Sequence, residues 1–236
     1  MTPEPLLRTR ELFRRFGGHL AVDAVSLELM QGEVYCIIGP NGAGKTTLLN
    51  MLCGTLAPTS GAILFKGIDM VGRPRRDIAR AGIARKFQVP TVFGSLTVRQ
   101  NIELAANGPA ARQPVGVDDI LESVELGPVA HQNAGHLAHG KKQWLEIAMA
   151  MATSPLLLLL DEPTAGMTPD ETAKTAALIR SLRGRVTVLA IEHDMSFVRA
   201  LASETIAMHQ GRVIASGAFE TVAADDTVRA VYLGKD

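Results

Sequence analysis

The run GPNGAGKTT, Gly39–Thr47, puts a lysine and two threonines directly behind a glycine-rich stretch. Gly39, Gly44, Lys45 and Thr46 fit the spacing G-x-x-x-x-G-K-[ST], with Asn41 and Gly42 inside it. Glycines there let backbone N–H groups close around an anion, and the positive end of the following helix points at it. Lys45 is spaced to reach the terminal phosphates of a nucleotide, and the Thr46 hydroxyl to ligate Mg²⁺. The flanks agree, since Val34–Ile38 reads as a buried strand and TLLNML as the start of a helix.

A second apolar run, Leu156–Leu160, ends in Asp161-Glu162-Pro163. Five successive leucines suit a parallel strand covered on both faces. Carboxylates at its carboxyl end stand where open α/β sheets bind ligands. There Asp161 would hold Mg²⁺ through water and Glu162 would polarise an attacking water; the alternative is that the pair caps the next helix. The following unit repeats the plan. Thr168-Pro169-Asp170-Glu171 is a capping box with Pro in the first helical position, and Gly184 follows the last turn. Then Val186–Asp194, VTVLAIEHD, reads as a strand with His193 just past its end. A lone histidine is usually structural, but this position makes it a candidate for touching a γ-phosphate.

The elements between these motifs are less regular. Thr97-x-x-Gln100 starts a helix that ends at Asn107-Gly108. HLAHGKKQW, His136–Trp144, leads into the apolar LEIAMAMA. His131, His136 and His139 lie close in sequence, but no Cys or carboxylate completes a usual zinc spacing. Trp144, the only tryptophan, is expected to pack on the helix surface rather than form a ligand platform. The basic run Arg73–Lys86 reads as a solvated helix face, or as a contact with a partner.

With 47% hydrophobic and 20% charged residues, the 236-residue chain has an ordinary globular balance. A net charge of +0 and 4% aromatics give no electrostatic push or stacking surface for nucleic acid. No apolar stretch reaches the length of a membrane span: LEIAMAMATSPLLLLL is broken by Thr153-Ser154-Pro155 and carries Glu146. The start, MTPEPLLRTRELF, lacks the apolar core of a signal peptide. Cys36 and Cys53 sit in apolar runs and suit free thiols in a reducing cytosol.

Taken in order, the phosphate loop, Gln88 in ARKFQVP, the DEP segment Asp161–Pro163 and His193 in IEHDM resemble the ABC-transporter ATPase family over essentially the whole chain. The resemblance implies an α/β fold. It would have a P-loop NTPase core sheet, an antiparallel β subdomain and an inserted helical subdomain over about residues 91–150, within one nucleotide-binding domain, 1–236. It further implies that Phe16 is an adenine platform and that Gln88 ligates Mg²⁺ and passes nucleotide state to a membrane subunit. Leu137-Ala138-His139-Gly140-Lys141 stands where the family carries Leu-Ser-Gly-Gly-Gln. That segment sits at a helix N-terminus and closes on ATP held by the opposite subunit. Only Leu137 and Gly140 match, and the family's serine is Ala138 here; Thr168 stands where Asp is usual.

FGGHLAVDAVSLEL, FQVPTVFGSLTVRQNIELA and VYLG are similar to the importer branch for branched-chain amino acids, urea and related amides. HGKKQWLEI and AGMTPDET look closest to the urea-import ATPase. The implied partners are a second ATPase, preferably a different one, transmembrane permease subunits and, indirectly, an extracytoplasmic binding protein. The implied place is cytoplasmic, on the inner face of the cell membrane. Val89, Pro90, Val92 and Phe93 suit either docking of the membrane subunit or ordinary subdomain packing. An ATPase of a lipopolysaccharide exporter, and a non-transport ATPase acting on ribosomes or nucleic acid, are the competing readings.

Overall fold

The computed structural model describes residues 4–86 and 92–233. Among them the chain forms two sheets with helices packed between and around them. In β1, Leu7–Phe16, buried Leu7, Thr9 and Leu12 are interspersed with more exposed residues, as in a sheet with one wet face. It pairs antiparallel with β2, His19–Val25, and with β5, Ser60–Phe65. Short β3, Glu28–Leu29, and β6, Ile68–Asp69, extend this sheet.

The second sheet is built from fully buried strands. β4, Val34–Ile38, β8, Leu157–Asp161, and β9, Thr187–Ile191, are buried at every position. With β7, Ile83–Lys86, β10, Glu204–His209, and β11, Arg212–Gly217, the order is β11-β10-β4-β9-β8-β7. All neighbours are parallel except the β10–β11 hairpin. The leucine run explains itself here, because successive side chains on a strand point to opposite faces. Leu157 and Leu159 pack with Leu7, Phe65 and the α1 residues Leu48 and Leu49, α1 being Lys45–Leu52. Leu158 and Leu160 pack on the other face with Leu145, Ile147, Ile179 and Phe197. Two cores therefore share one sheet.

The described residues between β7 and β8 carry a run of helices. α3, Val98–Ala106, starts in the Thr97/Gln100 capping box and stops at Asn107; α4, Val117–Ser123, and α5, His139–Ala152, follow. α6, Pro169–Ser181, begins in the Thr168/Glu171 capping box with Pro169 in its first turn. No helix among the described residues is long and apolar enough to cross a membrane.

One expectation needs correction. The basic run is not one solvated face. α2, Arg75–Ala81, carries exposed Arg75 and Arg76, but it ends at Gly82 with φ +114°, and the chain turns inward as β7. Arg85 and Lys86 then point into the interior, with side chains 6% and 0% exposed. Trp144 packs on its helix as expected: it is buried, and its Nε1–H donates to Thr175 Oγ1 at 2.9 Å, fastening α5 to α6.

Candidate active site

The carboxyl ends of β4, β9 and β8 lie side by side, and each releases a residue of the cluster. After β4 the loop Gly39–Gly44 turns back through φ values of +151°, +81° and +97° at Gly39, Gly42 and Gly44. Glycine is required at two of these by contact as well as by φ. A Cβ on Gly39 would collide with the Met208 carbonyl oxygen, and one on Gly44 with that of Ala21. α1 opens at Lys45 with no side-chain cap on its first turn, so its N–H groups remain directed at the loop. Asn41 and Gly42 are exposed at the loop tip, while Thr47 is half-buried.

Lys45 threads back through its own loop. Its Nζ donates to Gly39 O at 2.6 Å and Pro40 O at 3.0 Å. Burial pulls the ammonium below its ordinary pKa, and the nearby Glu162 and Asp161 charges oppose that shift. An anion seated in the loop would offset the desolvation by its charge and favour the ammonium form.

Thr46 Oγ1 lies 3.5 Å from Asp161 Oδ1. Two hard oxygens converging at the mouth of the loop are the donor chemistry that Mg²⁺ takes, so the residues fit that cation. Asp161 is also held from behind: Arg85 Nη2 reaches its Oδ2 at 3.0 Å. Burial raises the Asp161 pKa, and Arg85 works against the rise.

Glu162 follows at φ +46°, a left-handed turn that an L-residue adopts at a cost of about 1–2 kcal/mol. Its N–H is tied to Ile191 O at 3.0 Å. The turn sends its carboxylate to His193, whose Nε2 is 2.8 Å from Glu162 Oε1. An ionised carboxylate only accepts, so this pairing places the ring proton on Nε2. Behind them Glu192 is buried and takes the Thr164 hydroxyl at 2.8 Å and the Thr164 N–H at 3.1 Å on Oε1. Its Oε2 accepts from His193 N at 3.2 Å. Burial raises the Glu192 pKa, and the Thr164 hydrogen bonds oppose it.

Phe16 ends β1, 45% exposed, with the Arg14 guanidinium 4.4 Å from its ring centroid. It opens the hairpin turn to β2, the strand whose Ala21 carbonyl limits Gly44. Leu137–Lys141 is placed elsewhere, against the segment that follows Glu162. Leu137 is buried, Ala138 is the N-cap of α5 without a side-chain cap bond, and Lys141 is half-buried. The His139 ring lies 3.1 Å from Ala165 O. Gly140 does allow a close approach, but within the chain it is the Glu171 carboxylate that fills the space a Cβ would need. Gln88 lies outside the described residues, as do Val89, Pro90 and Thr91.

The structure thus brings Lys45, Thr46, Asp161, Glu162 and His193 together. Sequence reasoning missed Arg85, Lys86, Glu146, Glu192 and Gln143. Lys86 Nζ stands 3.8 Å from Glu146 Oε2 in the interior, its pKa lowered by burial against the pull of Glu146. The signal for Arg85 and Lys86 was Gly82, which ends a helix and returns the chain to a strand. The signal for Glu192 was an acid embedded in the apolar LAIEHD.

A family model described as ABC transporter matches residues 22–165, more than half of the chain. The chain is 39% identical over 251 residues to the high-affinity branched-chain amino acid transport ATP-binding protein BraF of Pseudomonas aeruginosa, with 98% of each chain covered. It is 33% identical over 234 residues to the lipopolysaccharide export system ATP-binding protein LptB of Acidithiobacillus ferridurans, with 97% of each covered. Among solved structures it is similar to the ADP conformation of MJ1267, an ATP-binding cassette of an ABC transporter. There the TM-score is 0.88 at 30% identity, over 98% of this chain and 99% of that one.

Proposed function

Because this chain belongs to the ABC transporter family and carries its ATPase fold, we propose that it powers uptake of branched-chain amino acids, urea or related amides. One observation carries the reading: the Lys45 loop, the Thr46–Asp161 oxygens and the Glu162–His193 pair meet at the ends of three adjacent parallel strands. Identity of 39% to BraF, against 33% to LptB, favours import over export. HGKKQWLEI and AGMTPDET support urea or an amide as the finer choice.

In this reading Lys45 leaves the Gly39 and Pro40 carbonyls to meet the β- and γ-phosphates of ATP, and Phe16 stacks on the adenine. Thr46, Asp161 and Gln88 hold Mg²⁺, which neutralises charge on the phosphates. Glu162 takes the proton of the attacking water, contributing on the order of 10²–10⁴-fold. His193 keeps that carboxylate aimed and faces the γ-phosphate. Leu137–Lys141 offers the uncapped start of α5 to the ATP held by a second ATPase, a different chain in the working complex. One hydroxyl lost at Ala138 removes only about 0.5–1.5 kcal/mol, which backbone donors can supply.

Residues about 91–150 form the helical subdomain that meets the permease on the inner face of the membrane, with Phe93, 51% exposed, in the contact. The permease and an extracytoplasmic binding protein select the substrate. Glu162→Gln tests the chemistry: it should bind ATP and associate with its partner ATPase yet hydrolyse ATP on the order of 10²–10⁴-fold more slowly. Normal turnover would overturn the assignment. Uptake of labelled leucine and labelled urea, with and without the chain, separates the substrates.

A further inference from the structure

The turn that carries Glu162 is gripped from two sides. On one side, Thr164 hangs from Glu192, next to His193. On the other, the Ala165 carbonyl is held by α5. Gln143 Nε2 donates to Ala165 O at 2.8 Å, and His139 Nε2 lies 3.1 Å from the same oxygen and 2.9 Å from Gln143 Nε2. Ala165 is itself bonded back to Glu162, its N–H donating to Glu162 O at 3.2 Å. A Cβ on Gly166 would lie 3.3 Å from His139 Nε2, so glycine there leaves the ring its seat.

Gln143 adds an unusual feature. It is 1% exposed, and its Oε1 is buried with no hydrogen-bond partner. Leaving such an acceptor unmet costs roughly 1–3 kcal/mol, which the bond from Gln143 Nε2 to Ala165 O offsets in part. With its proton on Nε2, His139 joins Gln143 in donating to one main-chain oxygen, and that oxygen belongs to the turn of the general-base carboxylate.

We propose that His139, braced by Gln143, is a positioning residue that ties the start of α5 to the Glu162 turn of the same chain, linking the two nucleotide sites of the assembled pair. The inference rests on the reading above, in which α5 receives the partner's ATP. A load on the start of α5 moves the Ala165 carbonyl, and through the hydrogen bond from Ala165 N–H to Glu162 O it sets the carboxylate in this chain's own site. The family's small glycine at this position offers no such ring. The link is therefore a property of this chain's departure from the motif.

The test compares the unaltered full chain with His139→Ala, His139→Gln and Gln143→Met, each assembled with its partner ATPase and permease. Turnover against ATP concentration gives kcat, KM and the Hill coefficient; Tm and the association state are read in parallel. His139→Ala and Gln143→Met should lower kcat roughly tenfold and bring the Hill coefficient toward about 1, and in Gln143→Met, which lies outside the Leu137–Lys141 segment, KM should change little. His139→Gln, which keeps an N–H for Ala165 O, should restore most of both. A merely structural role would lower Tm and the active fraction while leaving the Hill coefficient alone. An unchanged kcat and Hill coefficient in His139→Ala would overturn the proposal while the functional reading stands. An unaltered assembly that neither hydrolyses ATP nor associates on it would overturn that reading, and the link with it.

Discussion

The Arg85 guanidinium lies 3.0 Å from the Asp161 carboxylate with 6% and 1% of the two side chains exposed, and it also donates to Asn50 Oδ1 at 2.5 Å. Removing one partner of a buried pair strands the other charge, which costs about 3–5 kcal/mol. Arg85→Met should therefore lower unfolding free energy by about that much, measured by urea titration. If Asp161 holds Mg²⁺ as proposed, saturating Mg²⁺ and ATP should recover part of the loss. A destabilisation below 1 kcal/mol would show that the carboxylate is not dependent on Arg85.

Lys45 is a buried ammonium whose pKa is pulled down by desolvation. Replacing it with Met removes a desolvated charge and keeps the length of the side chain. Lys45→Met should thus have a Tm no lower than the unaltered protein without nucleotide. It should lose the rise in Tm that ATP gives, which mass action ties to the affinity. Differential scanning fluorimetry with and without ATP reads both.

Glu192 has its pKa raised from the ordinary 4.5 by burial. The folded state then binds the proton more tightly than the unfolded chain, so stability falls as pH rises from about 4.5 through the folded pKa and is level above it. Glu192→Gln removes that slope. Plotted against pH, the stability of the unaltered protein should decline relative to the variant from pH 4.5 upward. Parallel curves would show that Glu192 keeps an ordinary pKa.

Trp144 is the only tryptophan, and it is buried. Its emission should lie to the blue of free tryptophan and move red in a single step on unfolding. Trp144→Phe loses the bond to Thr175 Oγ1 and part of the ring volume, which together cost about 1–2 kcal/mol. Circular dichroism melts check the magnitude.

The legible parts of this molecule were those in which one local rule dominates. A glycine spacing before Lys45, a leucine run ending in Asp161, and capping boxes at Thr97 and Thr168 each name their own structure. What stayed hidden depends on partners far apart in sequence. Arg85 and Lys86 look like surface cations until β7 pairs with β8 and carries them to Asp161 and Glu146. Trp144 has no visible polar partner until α6 supplies Thr175. Glu192 and Gln143 hold a turn through Thr164 and Ala165, and no spacing along the chain announces such a bond.

The strand that launches the phosphate loop has late neighbours. Val34 pairs with Val188, and Tyr35 with Glu204. A chain emerging from the ribosome grows from its amino end, so β4 waits unpaired while most of the protein is made. Until Met208 arrives, Gly39 has no carbonyl to press against, and the loop has no wall on that side. ATP binding is therefore among the last properties the nascent chain acquires, and fragments released before about residue 209 should carry the whole motif yet hold no nucleotide.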